Sequence, residues 1–97
     1  MLDVYFSEPA VQDLEEIRDY IAADNRDAAI QLLDDIEATC ERFAHNPRIG
    51  MQRDDLLAGI RLFPVRKTYA VFYRITDDAV EIVRVVHARR DFGRLFE

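Results

Sequence analysis

The sequence predicts an α+β fold in which an N-terminal strand leads into an α-helical hairpin and then a three-stranded antiparallel meander. Three observations carry this. Apolar residues recur at three- and four-residue steps through the first half; β-branched and aromatic residues fill three runs in the second; and a stretch with Pro47, Gly50 and Gly59 separates the two. The 97 residues suit one domain, residues 1–97, because a shorter piece would bury too little apolar surface to offset the entropy lost on folding.

Leu2-Asp3-Val4-Tyr5-Phe6 is rich in strand-forming types and stops at Ser7-Glu8-Pro9, where Ser7 can cap a helix and Pro9 suits its first turn. Val11, Leu14, Ile17 and Ile21 then make an apolar stripe, with Gln12, Asp13, Glu15, Glu16 and Asp19 elsewhere on the wheel. Asp24-Asn25 breaks that helix and caps the next, whose stripe is Ala29, Leu32, Leu33, Ile36, Cys40 and Phe43. Asn46-Pro47 ends it, since a residue before proline is pushed out of the helical region. Residues 47–59 read as a connecting loop with a turn around Asp54 to Leu57. The strands are expected at Ile60 to Arg66, Tyr69 to Thr76 and Ala79 to His87, joined at Lys67-Thr68 and Asp77-Asp78. Pro64 puts its strand at an edge or a bulge, because it has no N–H for a ladder. Ala88 to Glu97 suits a short terminal helix.

At 49% hydrophobic and 33% charged, the chain is too apolar for a disordered tail and too often interrupted by charge for a bilayer span. Cys40 is the only thiol, so neither an internal disulfide nor a cysteine-based zinc site can form, and a reducing, cytoplasmic setting is expected. The net charge of −6 divides unevenly: residues 1–47 carry −9 and residues 48–97 carry +3. Two surfaces of opposite sign follow.

Little in the chain points to catalysis. His45 and His87 lack an orienting acid and a nucleophile, and Ser7 is better explained as a cap. The doublets Glu15-Glu16, Asp34-Asp35, Asp54-Asp55 and Asp77-Asp78 are solvated faces and turns, because neighbours on a helix point about 100° apart and share an ion poorly. No metal and no cofactor is expected. Tyr5, Tyr20, Tyr69 and Tyr73 sit at strand and stripe positions that favour core packing. Arg84 shares a strand face with Val80, Ile82 and Val86, so it should either pair with a carboxylate or line a functional cleft.

The ordered elements bring a resemblance with them. Ala10-Val11-Gln12-Asp13-Leu14 and Ile17-Arg18-Asp19-Tyr20-Ile21 resemble the first helix of ParE toxins, and Asn46-Pro47-Arg48-Ile49-Gly50 resembles the turn after their hairpin. Gly59-Ile60-Arg61, Tyr69-Ala70-Val71-Phe72-Tyr73-Arg74 and the run from Ile82 to Asp91 are similar to their sheet motifs. The resemblance, to the RelE/ParE superfamily of type II toxins, covers almost the whole chain.

It implies a toxin that inhibits DNA gyrase by binding and is neutralised by a ParD-like antitoxin, with DNA contacted only through the antitoxin and with toxin and antitoxin forming a hetero-oligomer. The RelE-like alternative is a ribosome-dependent messenger RNA endoribonuclease, which needs groups to move protons and to stabilise phosphorane charge. Carried over by position, a RelE-like lysine falls at Phe63, an arginine at Ala70 and the terminal tyrosine at about Phe96, and none of these replacements can do the work. The chain is therefore expected not to be an enzyme. An inactive antitoxin-binding remnant is a further alternative. The residues implicated in target binding are Arg61, Arg74, Arg84, Arg89, Arg90, Phe92, Arg94, Leu95 and Phe96, where arginines supply charge-assisted bonds and the tail's apolar side chains supply anchors.

Overall fold

Strand-forming residues at the N-terminus need a neighbour, and the computed structural model, which describes residues 1–97, supplies one from the far end of the chain. Strand β1 (Asp3–Phe6) pairs in parallel with the last strand, with Phe6 opposite Ile82. Helix α1 (Glu8–Ala22) follows at once, capped by the Ser7 side chain, which accepts from the Ala10 N–H at 3.2 Å. Asn25 caps helix α2 (Arg26–His45) in the same way through Ala28 N–H. Both caps are the residues expected from sequence.

The segment after the hairpin contains a strand the sequence did not reveal. Strand β2 (Met51–Gln52) pairs antiparallel with β3 (Arg61–Val65), so the sheet has five strands where four were expected. Two residues are too few to show a period. With β4 (Tyr69–Ile75) and β5 (Ala79–His87), the sheet order is β1-β5-β4-β3-β2. Pro64 lies opposite Ala70, beyond the reach of β2, so its missing N–H falls on the open side of β3.

The turn between β3 and β4 centres on Arg66-Lys67 in place of Lys67-Thr68. Both have positive φ, 56° and 61°, and the Thr68 N–H donates to the Val65 carbonyl at 3.2 Å. This left-handed turn matches the twist of the strands, but glycine or asparagine ordinarily fills it. The expected terminal helix is a single 3₁₀ turn at Phe92–Arg94.

The helices cover one face of the sheet. Ala10, Leu32, Ile36, Cys40 and Phe43 pack there against Val65, Val71, Tyr73, Val80, Ile82 and Val85. Cys40 is sealed in this core, and burial pushes its thiol up to about 12, so it stays protonated at neutral pH. On the opposite face Ile60, Ala70, Phe72 and Val86 form a second cluster beneath Leu56, Leu57, Phe92, Leu95 and Phe96. Strand β4 therefore has both faces buried, which is why Tyr69 to Tyr73 reads as unbroken apolar sequence.

Tyr73 ties the hairpin to the sheet. Its ring stacks on Phe43 at 3.9 Å; its hydroxyl donates to the Pro47 carbonyl and accepts from the Gly50 N–H, each at 2.8 Å. A side chain at position 50 would lie 2.6 Å from that hydroxyl, so the site takes only glycine without rearrangement.

Three burial expectations change. Val11 is exposed and Asp13 buried, because the face of α1 turned to the sheet carries Ala10 and Asp13. Tyr5 and Tyr20 are exposed, at 45% and 83%, while Tyr73 alone of the tyrosines is fully buried. Leu33 is half-buried at the margin of the core, and Ile36 is inside it. Ile36→Ala should accordingly cost about 2 to 5 kcal/mol in urea denaturation. Leu33→Ala should cost clearly less; equal costs would contradict the helix orientation.

Candidate functional site

Strand β1 ends beside Ile82, which leaves the following stretch of β5 without a neighbouring strand on that side. Residues at the start of α1 take over. The Ser7 hydroxyl donates to the Val83 carbonyl at 2.8 Å, and the Asp13 carboxylate accepts the Val85 N–H at 2.9 Å. The same carboxylate holds Arg84 in a fork, with Nε at 2.7 Å and Nη2 at 2.8 Å. Bonding to Asp13 raises the Arg84 guanidinium above its ordinary value, so it remains charged.

The sheet is irregular at this point. Tyr73 faces Ile82 while Phe72 faces Arg84, so Val83 is an extra residue in β5. The bulge reverses the alternation: Val80, Ile82 and Val85 face the helices, and Val86 joins the opposite cluster. The expectation that Arg84 and Val86 share a face with Val80 and Ile82 fails for this reason. Of the two roles open to Arg84, the structure places it in the carboxylate pair.

The other implicated arginines divide into bound and free. Arg61 donates to the carbonyls of Gly50 at 2.8 Å and Arg48 at 3.2 Å, bracing the post-hairpin turn. Arg74 bonds Glu81 across the β4–β5 ladder. Arg89 and Arg90 are exposed beyond the end of β5, and Arg94 approaches Asp91 only at 3.8 Å. The structure thus does not bring the arginines together as one cluster.

The apolar tail residues turn inward. Phe92 and Phe96 meet the Phe72 ring edge-on, with centroids at 5.0 and 5.2 Å, and Leu95 packs beside them. Every backbone hydrogen bond donated by residues 90–97 goes to an acceptor within the last eleven residues, so side-chain packing alone holds this lid to the sheet.

Two apolar hollows border these elements. One, of about 320 Å³, runs along the open edge of β3 and is lined by Ile49, Met51, Phe63, Pro64 and Phe92 among others. The other, of about 190 Å³, opens between the hairpin and β1 among Phe6, Leu14, Leu33 and Ile36. Of the positions where an RNA-cleaving relative would carry reactive groups, Ala70 is buried, Phe63 half-buried and Phe96 packed on Phe72. Exposed His87 accepts the Arg89 N–H on Nδ1 at 3.1 Å, a local structural bond.

A family model described as the ParE toxin of the type II toxin-antitoxin system parDE matches residues 4–92. The chain belongs to the ParE toxin family. It is 37% identical over 95 residues to toxin ParE1 of Mycobacterium tuberculosis, covering 93% of this chain and 94% of that protein. Toxin ParE3 of Caulobacter vibrioides is 33% identical over 86 residues, covering 88% and 85%. Among solved structures, a chain of the chromosomal ParDE system of P. aeruginosa aligns with TM-score 0.76 over 90% of this chain and 96% of that one, at 19% identity, a likeness of fold. A chain of the RelBE2 toxin-antitoxin complex of Mycobacterium tuberculosis aligns with TM-score 0.56 and 29% identity, over 89% and 96%.

The ParE fold here rests on one residue that sequence reasoning put on the solvent side. Asp13 is 6% exposed and serves a strand 71 residues away. The available signal was Arg84, an arginine amid apolar strand residues that required a carboxylate somewhere. Asp13→Ala should cost about 3 kcal/mol in urea denaturation, since it leaves a partly buried cation and a strand N–H unpaired. Adding Arg84→Met should recover part of that loss; a purely additive pair would show that the two groups are not coupled. Removal of residues 92–97 should lower stability by about 3 kcal/mol, through three half-buried side chains, without abolishing the far-UV dichroism of the helical hairpin. A loss below about 0.5 kcal/mol would mean that the tail does not cover the sheet.

Proposed function

We propose that this type II toxin acts by binding DNA gyrase and blocking its strand-passage cycle, and that a ParD-like antitoxin neutralises it. The chain does no chemistry of its own in this reading. The observation that carries it is the combination of ParE family membership with Phe63, Ala70 and Phe96 at the positions where RNA cleavage would need proton donors, acceptors and cations. Arg61, two residues before Phe63, is committed to backbone carbonyls.

Target contact falls to the groups left free. Arg74 and Arg84 hold the sheet together, so Arg89, Arg90 and Arg94 are the arginines of the tail region available to a partner. Phe92, Leu95 and Phe96 act indirectly, by fixing the tail that presents them. The apolar hollows along β3 and beside β1 are the surfaces for the antitoxin, whose disordered segment would order as it fills them. A cytoplasmic setting accords with this role; no helix is long and apolar enough to cross a membrane.

Purified toxin should inhibit supercoiling of relaxed plasmid by gyrase in a dose-dependent way, and premixing with the antitoxin from a neighbouring reading frame should abolish the effect. Expression without antitoxin should arrest growth with a DNA-damage response while bulk messenger RNA stays intact. Rapid loss of ribosome-bound messages with normal supercoiling would establish the endoribonuclease alternative instead. Antitoxin binding with neither effect would identify an inactive remnant.

A further inference from the structure

The end of the sheet where β3 turns into β4 also receives the end of β5. Tyr69 lies opposite His87, and the Ala88 N–H donates to the Thr68 carbonyl at 2.7 Å, so the Arg66-Lys67 turn and Arg89-Arg90 are held side by side. Four cations from two separate segments thereby occupy one end of the molecule.

Acidic residues outnumber basic ones, 19 to 13, and four arginines elsewhere find carboxylates: Arg18 with Asp19, Arg53 with Asp55, Arg74 with Glu81, Arg84 with Asp13. Arg61 bonds backbone carbonyls, and Arg26, Arg42 and Arg48 are scattered without an ion pair. At this end only Arg66 finds a carboxylate, that of Asp35 of α2, which pins the turn to the hairpin. Lys67, Arg89 and Arg90 are exposed and make no ion pair. Glu16 borders the hollow beside Arg90, and Asp91 reaches only toward Arg94.

The backbone supplies a second, independent observation. Arg66 and Lys67 stand in the left-handed region, where a glycine or asparagine would relieve strain. Arg66 is accounted for by Asp35, so strain retained at Lys67, which has no ion pair, points to a function for that cation. His87 Nδ1 accepts the Arg89 N–H and so helps fix the segment that carries Arg89 and Arg90.

We propose that Lys67, Arg89 and Arg90 form a binding site for the phosphodiester backbone of duplex DNA, made by the toxin itself. Side chains that reach phosphates position a protein on the duplex without reading its sequence, and three exposed cations with no base-reading element beside them suit that role. The acidic hairpin would repel the same polyanion, so only this end can face it. The proposal departs from the expectation that DNA is contacted only through the antitoxin, it gives Arg89 and Arg90 a phosphate partner besides the protein target, and it is tested without gyrase.

Fluorescence anisotropy with a labelled duplex of arbitrary sequence is the measurement. With three phosphates neutralised, affinity should fall about 40-fold between 50 and 200 mM salt, a log–log slope of about −2.7. The variant Lys67→Gln/Arg89→Gln/Arg90→Gln should bind at least about 10-fold more weakly at 50 mM salt, with its slope close to zero. A control with equal loss of charge, Arg18→Gln/Arg26→Gln/Arg48→Gln, should bind like the parent. Lys67→Gly separates site from fold: it should raise the melting temperature by relieving the turn while lowering DNA affinity several-fold. No binding by the parent protein at 50 mM salt, equal weakening in the control, or unchanged affinity in Lys67→Gly would overturn the site. Tighter binding to a single-stranded RNA of the same length would overturn its assignment to duplex DNA.

Discussion

The carboxylate of Asp13 is the point on which this fold turns. Strand β1 is too short to accompany β5 along its length, so a stretch of β5 lies beyond the last β1 residue with polar backbone groups to satisfy. Asp13 takes one of these N–H groups and the adjacent arginine together. That single side chain fixes the rotation of α1 over the sheet, the position of the bulge at Val83 and the neutralisation of Arg84. A buried ion pair rarely improves on apolar packing in stability alone, so what this pair supplies is register: Arg84 and the Val85 N–H are satisfied together in one docking of helix on strand.

Tyr73 performs the corresponding task at the other end of the hairpin. It is a wall of the core, through its stack on Phe43, and a bracket for the turn, through Pro47 and Gly50. Arg61 completes the bracket by taking the Gly50 carbonyl. Gly50 therefore has both backbone groups bound and no room for a side chain. Residues that looked like separate features, a glycine in a loop and a tyrosine and an arginine in strands, act as one joint between the acidic and the basic halves of the chain.

Most of the architecture was legible from periodicity. The spacing of Leu32, Ile36, Cys40 and Phe43, the caps Ser7 and Asn25, the break at Pro47 and the three β-rich runs each follow from local rules, and each stands in the structure. What escaped was non-local or too short to have a period. Asp13 resembles any acidic residue on a helix until its partner across the fold is known. Strand β2 has two residues, and the bulge at Val83 exchanges the faces of a strand without leaving a mark in composition. The Arg66-Lys67 turn lacked the glycine that would have located it. For the surface, sequence named the arginines but could not separate those bound internally, Arg61, Arg74 and Arg84, from those left in solvent, Arg89 and Arg90.

Because β4 is buried on both sides, it divides the molecule into two cores of unequal depth. Helices seal the larger one, and short loops and an apolar lid cover the smaller. The lid is joined to the rest by packing without a backbone ladder, so its opening exposes Phe72 and Ile60 and leaves the helical side intact. Two levels of opening follow, a shallow one confined to the lid and a deep one that requires the whole sheet to separate from its helices. Amide hydrogens near the tail would exchange with solvent through the first and those of β4 through the second. Opening of the tail would thus leave the core beneath the helices folded.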